Sequence, residues 1–434
     1  MLVDGRPEAI YALFAFLVAA AIAWLLVPVA ERIARRVGAI DTPNERSLHT
    51  EPTPRLGGLA ILVAASVALV LFLPWEQQTQ AILVGAWVIA AVGALDDLYD
   101  LPAGLKLAGQ TVAAAIPALN GVNVGVLTLP FVGGFELTET LFTLPVVGDV
   151  HAGAALTIVG FVAVINVINW IDGVDGLAAG VCVIAAATLA VIALSLDRVG
   201  AGVLAAVTAG AALGFLRHGF PPASSFMGDT GSNLLGYLLA AIAVQGALKT
   251  NAVVALFFPL LILAVPILDT TFVIAKRVKY RQPVYRADRW HFHHRMANIG
   301  FSQRRTLAYL YSWVLVMAML ALALRFVPYS DDQGSFDPVW TTVMVVVLAA
   351  AMAASIYLVV TLEILKLRSL RLRQLVGATG RRPAPEELDE GVAGELETGT
   401  FRTVDPETGE FTALDPDTGE LGTIDPDTGE LGRT

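Results

Sequence analysis

Asn166, Asn169, Asp172 and Asp175 stand three residues apart at the end of the apolar run 152–165. A helix that continues through Asn169 puts Asn166, Asn169 and Asp172 on one face, because residues three apart are neighbours there. Gly173 and Gly176 then let the backbone leave helical geometry and come close to a ligand. A carboxylate near lipid costs about 2.5–3.5 kcal/mol even on lenient insertion scales. Two of them beside two asparagines suit a hard cation such as Mg²⁺, with oxygen ligands and bridging phosphates. A polar loop that caps two helices is the structural alternative.

Other stretches carry compatible chemistry. Asp96-Asp97 closes an earlier apolar run and Lys106 opens the next. Adjacent carboxylates repel, so one can have a raised pKa and act as a base unless a cation neutralises the pair. A helix end meeting water explains the same two acids structurally. Lys106 is placed to pair with them or with a phosphate. Phe226-Met-Gly-Asp229-Thr-Gly-Ser232 opens a further run. Asp229, Thr230 and Ser232 suit a helix N-terminus, an end that also favours phosphate. A carboxylate there repels bare phosphate, so a bridging metal makes the better combination. Phe226 offers a flat face to a base, or a ring to the core. Asp288-Arg289-Trp290-His291-Phe292-His293-His294-Arg295 lies in the most basic loop. Arginine forks suit phosphate. The histidine spacing, without a cysteine, does not by itself build a zinc tetrahedron. Phosphate contacts and structural hydrogen bonds are preferred. Upstream, Pro266 should bend its span. Asp269, in the same apolar run, is a functional candidate as an acid inside a span; pairing with a nearby Lys or Arg is the alternative.

The elements that must position these groups follow from composition. The 434 residues are 56% hydrophobic and 15% charged, with a mean hydropathy of +0.68. That is too apolar for a soluble domain of this length. The net charge of −10 misleads as a global figure, because much of the acid lies near the C-terminus. The single cysteine, Cys182, excludes an intrachain disulfide. No nucleic-acid partner is expected. The first apolar run lacks a basic flank and a convincing cleavage site, and reads as a retained span rather than a signal peptide.

About eleven runs approach the roughly 20 apolar residues of a span. They lie near 9–30, 57–74, 79–95, 104–120, 151–170, 177–196, 201–216, 231–247, 252–276, 306–327 and 339–365. Between the fourth and fifth, the Gly-rich stretch 121–150 alternates like a β-hairpin or loop outside the membrane. Among alternate loops, one set holds sixteen Lys or Arg, and the other holds Arg6, Arg198, Lys249 and Arg325. The basic set should be cytoplasmic. The N-terminus is then outside and the C-terminus inside. Every polar motif falls on the cytoplasmic side, which argues for one site facing the cytoplasm. The expected fold is an all-α polytopic membrane protein of about 11 transmembrane helices. A catalytic membrane domain covers 1–366 and a cytoplasmic acidic tail 367–434.

Taken together and in order, these motifs resemble the polyprenyl-phosphate N-acetylhexosamine-1-phosphate transferases. The likeness runs from about Arg32 to His294. It rests on Pro43-Asn-Glu-Arg46 with Pro54-Arg-Leu-Gly-Gly58, and on Asp96-Asp97 with Lys106 and Gln110. Asn166-x-x-Asn169-x-x-Asp172-Gly-x-Asp175-Gly-Leu177, Phe226-Met-Gly-Asp-Thr-Gly-Ser232 and Asp288-Arg-x-His-x-His-His294 complete it. The resemblance implies transfer of a sugar 1-phosphate from a UDP-sugar to a membrane polyprenyl phosphate, with release of UMP and a need for Mg²⁺ or Mn²⁺. It implies Asn169 and Asp229 as metal ligands, and Asp172 and Asp175 as catalytic or nucleotide-binding acids. Asp96 or Asp97 would activate the lipid phosphate or hold it near the metal. Phe226 would stack on uracil; Lys106, Asn166 and Asp288 would bind substrate. Arg289, His291, His293 and His294 would contact the diphosphate or sugar.

The first loop and the histidine pattern look like the type that uses UDP-GlcNAc. The alternative within the family is phospho-MurNAc-pentapeptide transfer; outside it, the alternative is a non-enzymatic transporter, which would place acids near mid-membrane. A homodimer through apolar spans is open, and nothing in the sequence specifies it. The C-terminal repeats, Thr403-Val-Asp-Pro-Glu-Thr-Gly-Glu410 and its two successors, are rich in Pro, Gly and acid. They read as turns in a largely disordered extension.

Overall fold

The computed structural model describes residues 7–42, 52–129, 133–144, 148–247, 258–279, 292, 296, 299, 301–328 and 337–379, and short strands at 402–404, 411–414 and 421–423. Eleven helices of 15 residues or more are described, each overlapping one of the expected apolar runs. They are α1 (Pro7–Val37), α2 (Gly58–Phe72), α3 (Gln77–Tyr99), α4 (Ala103–Leu119), α5 (Ala152–Ile171) and α6 (Leu177–Ser195). Then follow α7 (Val199–Gly219), α8 (Gly228–Ala247), α9 (Ala264–Lys279), α10 (Gln303–Phe326) and α11 (Pro338–Thr379). Seven of the described helices contain a stretch long and apolar enough to cross a membrane: α1, α3, α5, α6, α7, α10 and the 338–361 part of α11. α2, α4 and the first part of α9 are apolar but shorter. Helix is what these sequences must form in lipid, where every backbone N–H and C=O needs a partner within the chain.

Two compact units are distinguished. The first contains Met1–Ile267 and Leu307–Val345, the second Leu268–Thr306 and Val346–Thr434. In the first unit, α1 buries a stripe of alanines, Ala12, Ala15, Ala19, Ala23, Ala30 and Ala34. Leu13, Phe14, Leu17, Trp24 and Leu25 of the same helix point outward, as lipid-facing side chains do. The stripe admits α7 so closely that a Cβ on Gly210 would overlap the Phe16 carbonyl. Small residues let helix backbones approach in this way where no hydrophobic force drives them together.

α8 is held by the same device. Gly58 of α2 meets Gly231, Gly93 of α3 meets Asp229 and Thr230, and Gly236 lies on Ile165 of α5. Ahead of α2, the short strands β1 (Ile40–Asp41) and β2 (Thr53–Pro54) pair antiparallel. An Arg55–Asp41 ion pair of 2.6 Å closes that loop. Residues 43–51, including Pro43, Asn44, Glu45 and Arg46, lie outside the described residues.

The stretch expected as a β-hairpin or loop forms two antiparallel strand pairs. β3 (Val126–Leu129) pairs with β4 (Gly133–Glu136), and β5 (Thr140–Leu144) with β6 (Gly148–His151). The ninth apolar run is interrupted. Residues 258–262 are helical, Leu263 is a turn, and α9 starts at Ala264. Pro266 cannot donate to the carbonyl four residues back, and its ring keeps the two helical pieces from being continuous. In the second unit, the tail departs from the expectation of disorder at three places. β7 (Arg402–Val404), β8 (Phe411–Leu414) and β9 (Leu421–Thr423) form an antiparallel meander. Each ten-residue repeat supplies a short run such as Phe-Thr-Ala-Leu, whose β-branched and aromatic members fit a pleated surface.

Candidate active site

Three helices bring a lysine, an amide and an acid together in the first unit. Lys106 is in the first turns of α4, Asn169 near the end of α5, and Asp229 in the first turn of α8. The Lys106 ammonium donates to Asp229 Oδ2 and to Asn169 Oδ1 at 3.3 Å. It also pairs with Asp96 Oδ2 of α3 at 3.0 Å. Asn169 Nδ2 donates to Asp229 Oδ1 at 2.8 Å and to Ser232 Oγ at 2.9 Å. One cation therefore sits among oxygens from α3, α5 and α8. Thr230 and Ser232 are fully buried beside it.

Asp96 and Asp97, alike in sequence, are unlike in place. Asp96 Oδ1 accepts the Leu101 N–H at 2.8 Å, where the chain leaves α3, and Oδ2 faces Lys106. Asp97 turns to α8. Its Oδ1 accepts the Asp229 N–H at 2.8 Å. Its Oδ2 accepts the Thr230 N–H at 3.0 Å and the Thr230 hydroxyl at 2.7 Å. The first N–H groups of a helix have no partner within it, and a carboxylate there also answers the positive end of the helix dipole. Asp97 thus caps α8 from another helix. Gly228 makes the approach possible, with φ of +65° and a Cβ position that the Asp97 carboxylate would overlap.

α8 is fixed from a second side. Gly57 N–H donates to the Phe226 carbonyl at 2.9 Å and Gly58 N–H to the Met227 carbonyl at 3.0 Å. Phe226 N–H donates to the Pro54 carbonyl at 2.8 Å. The first loop and the Phe226 motif, far apart in sequence, form one backbone exchange, with the Phe226 side chain half-buried beside it. One turn below the Lys106 cluster, Asn166 Nδ2 donates to Gln110 Oε1 at 2.8 Å and to the Val162 carbonyl at 2.8 Å. Asn166 is thereby tied to α4, just as Asn169 is tied to α8.

Asp172 and Asp175 follow α5. The helix ends at Ile171, and Asp172 is its C-cap. Removal from bulk water, and then the charges of Asp229, Asp97 and Asp175, raise the Asp172 carboxyl well above the ordinary range. No opposite charge or hydrogen bond among the described residues offsets this. Asp175 Oδ2 accepts the Ala223 N–H at 3.2 Å. Tyr311 of α10 donates to the Gly176 carbonyl at 2.5 Å, and Gly180 leaves the space its ring needs. The sequence held no signal for Tyr311, since a tyrosine in an apolar run has no motif around it. Thr230, Ser232 and Gln110 were visible only as parts of motifs. Asp288, Arg289, His291, His293 and His294 lie outside the described residues.

The model of glycosyl transferase family 4 matches residues 79–247, the stretch that carries α3 to α8. The chain is 36% identical over 313 residues to a probable undecaprenyl-phosphate N-acetylglucosaminyl 1-phosphate transferase of Bacillus subtilis, covering 72% of this chain and 84% of that protein. It is 36% identical over 355 residues to the decaprenyl-phosphate N-acetylglucosaminephosphotransferase of Mycolicibacterium smegmatis, covering 75% and 83%. A phospho-N-acetylmuramoyl-pentapeptide-transferase of Desulforudis audaxviator is 32% identical over 348 residues, covering 73% and 98%. With these relatives matched over most of their lengths, the chain belongs to glycosyl transferase family 4, the family of the polyprenyl-phosphate N-acetylhexosamine-1-phosphate transferases.

Proposed function

We propose that the protein transfers N-acetylglucosamine 1-phosphate from UDP-GlcNAc to a polyprenyl phosphate, undecaprenyl phosphate in the first instance, and releases UMP. The observation that carries this reading is the cluster of Asp96, Lys106, Asn169 and Asp229 at one end of the helices. Relatives named for this transfer support the choice of substrates.

The residues fit a hard divalent cation. Asp96, Asp229 and Asn169 offer oxygen, and the Lys106 ammonium already lies among those oxygens. Among the described residues no three of His, Cys, Asp or Glu converge into a cage made by protein alone. Mg²⁺ does not require one, since it keeps waters and takes one or two carboxylates with substrate phosphates. Asn169 and Asp229 are assigned as its ligands, with Mn²⁺ as a substitute. When bound, the ion would neutralise the diphosphate and the UMP leaving group.

The remaining chemistry belongs to the chain. A non-bridging oxygen of the lipid phosphate attacks the phosphorus next to the sugar, and the bond from that phosphorus to the UMP oxygen breaks. The electron pair leaves on UMP. The attacking oxygen is already anionic, so positioning and electrostatics matter more than a strong base. Lys106 is assigned to the phosphates and Asp96 to orienting Lys106. Asp97, with both oxygens engaged by α8, is assigned to positioning. Asp172 and Asp175 are the further acids of the site, Phe226 the stacking partner of uracil, and Arg289, His291, His293 and His294 the contacts to diphosphate or sugar. With eleven spans, the count proposed from the apolar runs, the distribution of Lys and Arg supports both strand pairs of 126–151 outside, the site facing the cytoplasm, the N-terminus outside and the C-terminal tail inside.

Donor choice separates the two transferase types. Purified protein offered each donor in turn should turn over UDP-GlcNAc and leave UDP-MurNAc-pentapeptide unused. Turnover with the pentapeptide donor alone would keep the site and move the enzyme to the other type.

A further inference from the structure

The turn from Asp172 to Gly176 joins α5 to α6 and carries the two acids assigned to the site. It ends at Gly176, a buried residue whose φ of +76° lies in the left-handed region. Glycine adopts that conformation without strain, and it is also the residue with the most backbone freedom to lose. Two hydrogen bonds converge on its carbonyl. The Gly180 N–H donates at 2.9 Å, the first helical bond of α6. The Tyr311 hydroxyl donates at 2.5 Å, from a helix 135 residues further along the chain. All these residues belong to the first unit.

The second bond is not needed to satisfy the carbonyl. The Gly180 N–H already pairs it, as an N-cap carbonyl is paired in any helix. A carbonyl has a second lone pair, and what Tyr311 adds there is direction. A peptide unit is planar, so an oxygen held from two sides fixes the Gly176–Leu177 plane against rotation. The place for Tyr311 is specific. A Cβ on Gly180 would overlap the hydroxyl and ring of Tyr311. At the other end of the same two helices, Arg325 of α10 donates to the Ser195 hydroxyl at 2.8 Å and to the Ser195 carbonyl at 2.7 Å. Both ends of α6 are thus tied to α10. One residue before Gly176, Asp175 Oδ2 accepts the Ala223 N–H at 3.2 Å, so the turn is also braced from the segment between α7 and α8.

We propose that Tyr311 is a positioning residue for the Asp172–Gly176 turn and, through it, for Asp172 and Asp175. It touches no reacting atom. The kinetic part of this proposal rests on the assignment of those two acids to the reaction. A tyrosine that only packs α10 against α6 would leave the turnover of folded protein unchanged when its hydroxyl is removed.

The test uses full-length protein in detergent, with Tyr311→Phe and Gly180→Ala. Phenylalanine keeps the ring and removes the donor; alanine at 180 keeps the hydroxyl and denies it its place. In Tyr311→Phe, kcat/KM for the UDP-sugar should fall about tenfold, the scale of one hydrogen bond, with KM for polyprenyl phosphate within about twofold of the parent. The Gly180 amide, bonded to the same carbonyl, should exchange with solvent about tenfold faster. The Asp229 and Thr230 amides, held by Asp97, should keep their protection. Gly180→Ala should show the same defects, and adding Tyr311→Phe to it should cost less than about twofold more, because both changes remove one contact. Parent-like turnover or parent-like Gly180 exchange in Tyr311→Phe would overturn the proposal. So would equal damage to both substrates, or full additivity of the two substitutions. If one variant does not fold, the other decides alone by the same two readouts. If the parent protein releases no UMP from any donor, the transferase reading fails, and Gly180 exchange still decides whether Tyr311 holds the turn.

Discussion

Asp229→Asn should abolish transfer, lowering kcat about 10³-fold or more, the scale on which removing one electrostatic contact to a developing charge acts. Asp229 gathers more of the site than any other described residue. Its two carboxylate oxygens meet Lys106 and Asn169, while its N–H is held by Asp97. Asparagine keeps the size, the backbone and the cap on α8, so the fold should persist. What it loses is the charge that pairs with Lys106 and would ligate a divalent ion. Initial rates of UMP release with saturating donor and lipid, on protein shown to be monodisperse, check this. Turnover within tenfold of the parent would move the ion and the reacting phosphates away from Asp229.

Asp172→Asn should give two opposite effects. Activity should drop by about 10² or more, since the site loses one of its acids. The metal-free protein should become more stable at neutral pH. The second effect follows from the raised carboxyl. Asp172 binds its proton more tightly in the folded than in the unfolded chain, so its contribution to stability is full at acid pH. That contribution is lost as pH rises through the raised value. Ionised Asp172 in the folded protein is pressed by the charges of Asp229, Asp97 and Asp175, and asparagine removes that repulsion. Thermal unfolding in EDTA across pH 5 to about 8 is the check: the parent should lose stability with rising pH more steeply than the variant. Equal slopes would mean that the acids do not repel as their placement suggests. A site that sacrifices stability for activity is a common outcome of clustering like charges.

Much of this arrangement could be read from residue order, and the reasons can be named. Lipid leaves a chain few options, so apolar runs located all eleven described helices. Asp96, Lys106, Asn169 and Asp229 lie at ends of runs that charge asymmetry put on one side, and in the structure they meet. The different duties of Asp96 and Asp97 were not legible, because neighbours on a helix point apart and only the position of α8 decides which acid caps it. Nor could sequence alone show why Gly58, Gly93 and Gly231 are glycines, since each is required by a backbone contact across the fold. The break at Leu263 was half legible: Pro266 announced a bend, and the structure turns it into an interruption. In the tail, Asp-Pro and Thr-Gly pairs signalled turns, and that signal obscured the short strand-forming runs between them. For Asp269, sequence offered a functional acid or a partner of a nearby Lys or Arg, and it could not show the backbone N–H of Phe292 that its Oδ1 accepts.

The most direct measurement is the product balance of purified protein with UDP-GlcNAc, Mg²⁺ and undecaprenyl phosphate, made with and without the lipid. UMP should form only when the lipid is present, mole for mole with a lipid-linked sugar diphosphate, and EDTA should stop it. UMP formed equally without the lipid would mean that water is the acceptor. No UMP from folded protein under any of these conditions would contradict sugar-phosphate transfer at the Asp96–Lys106–Asn169–Asp229 cluster.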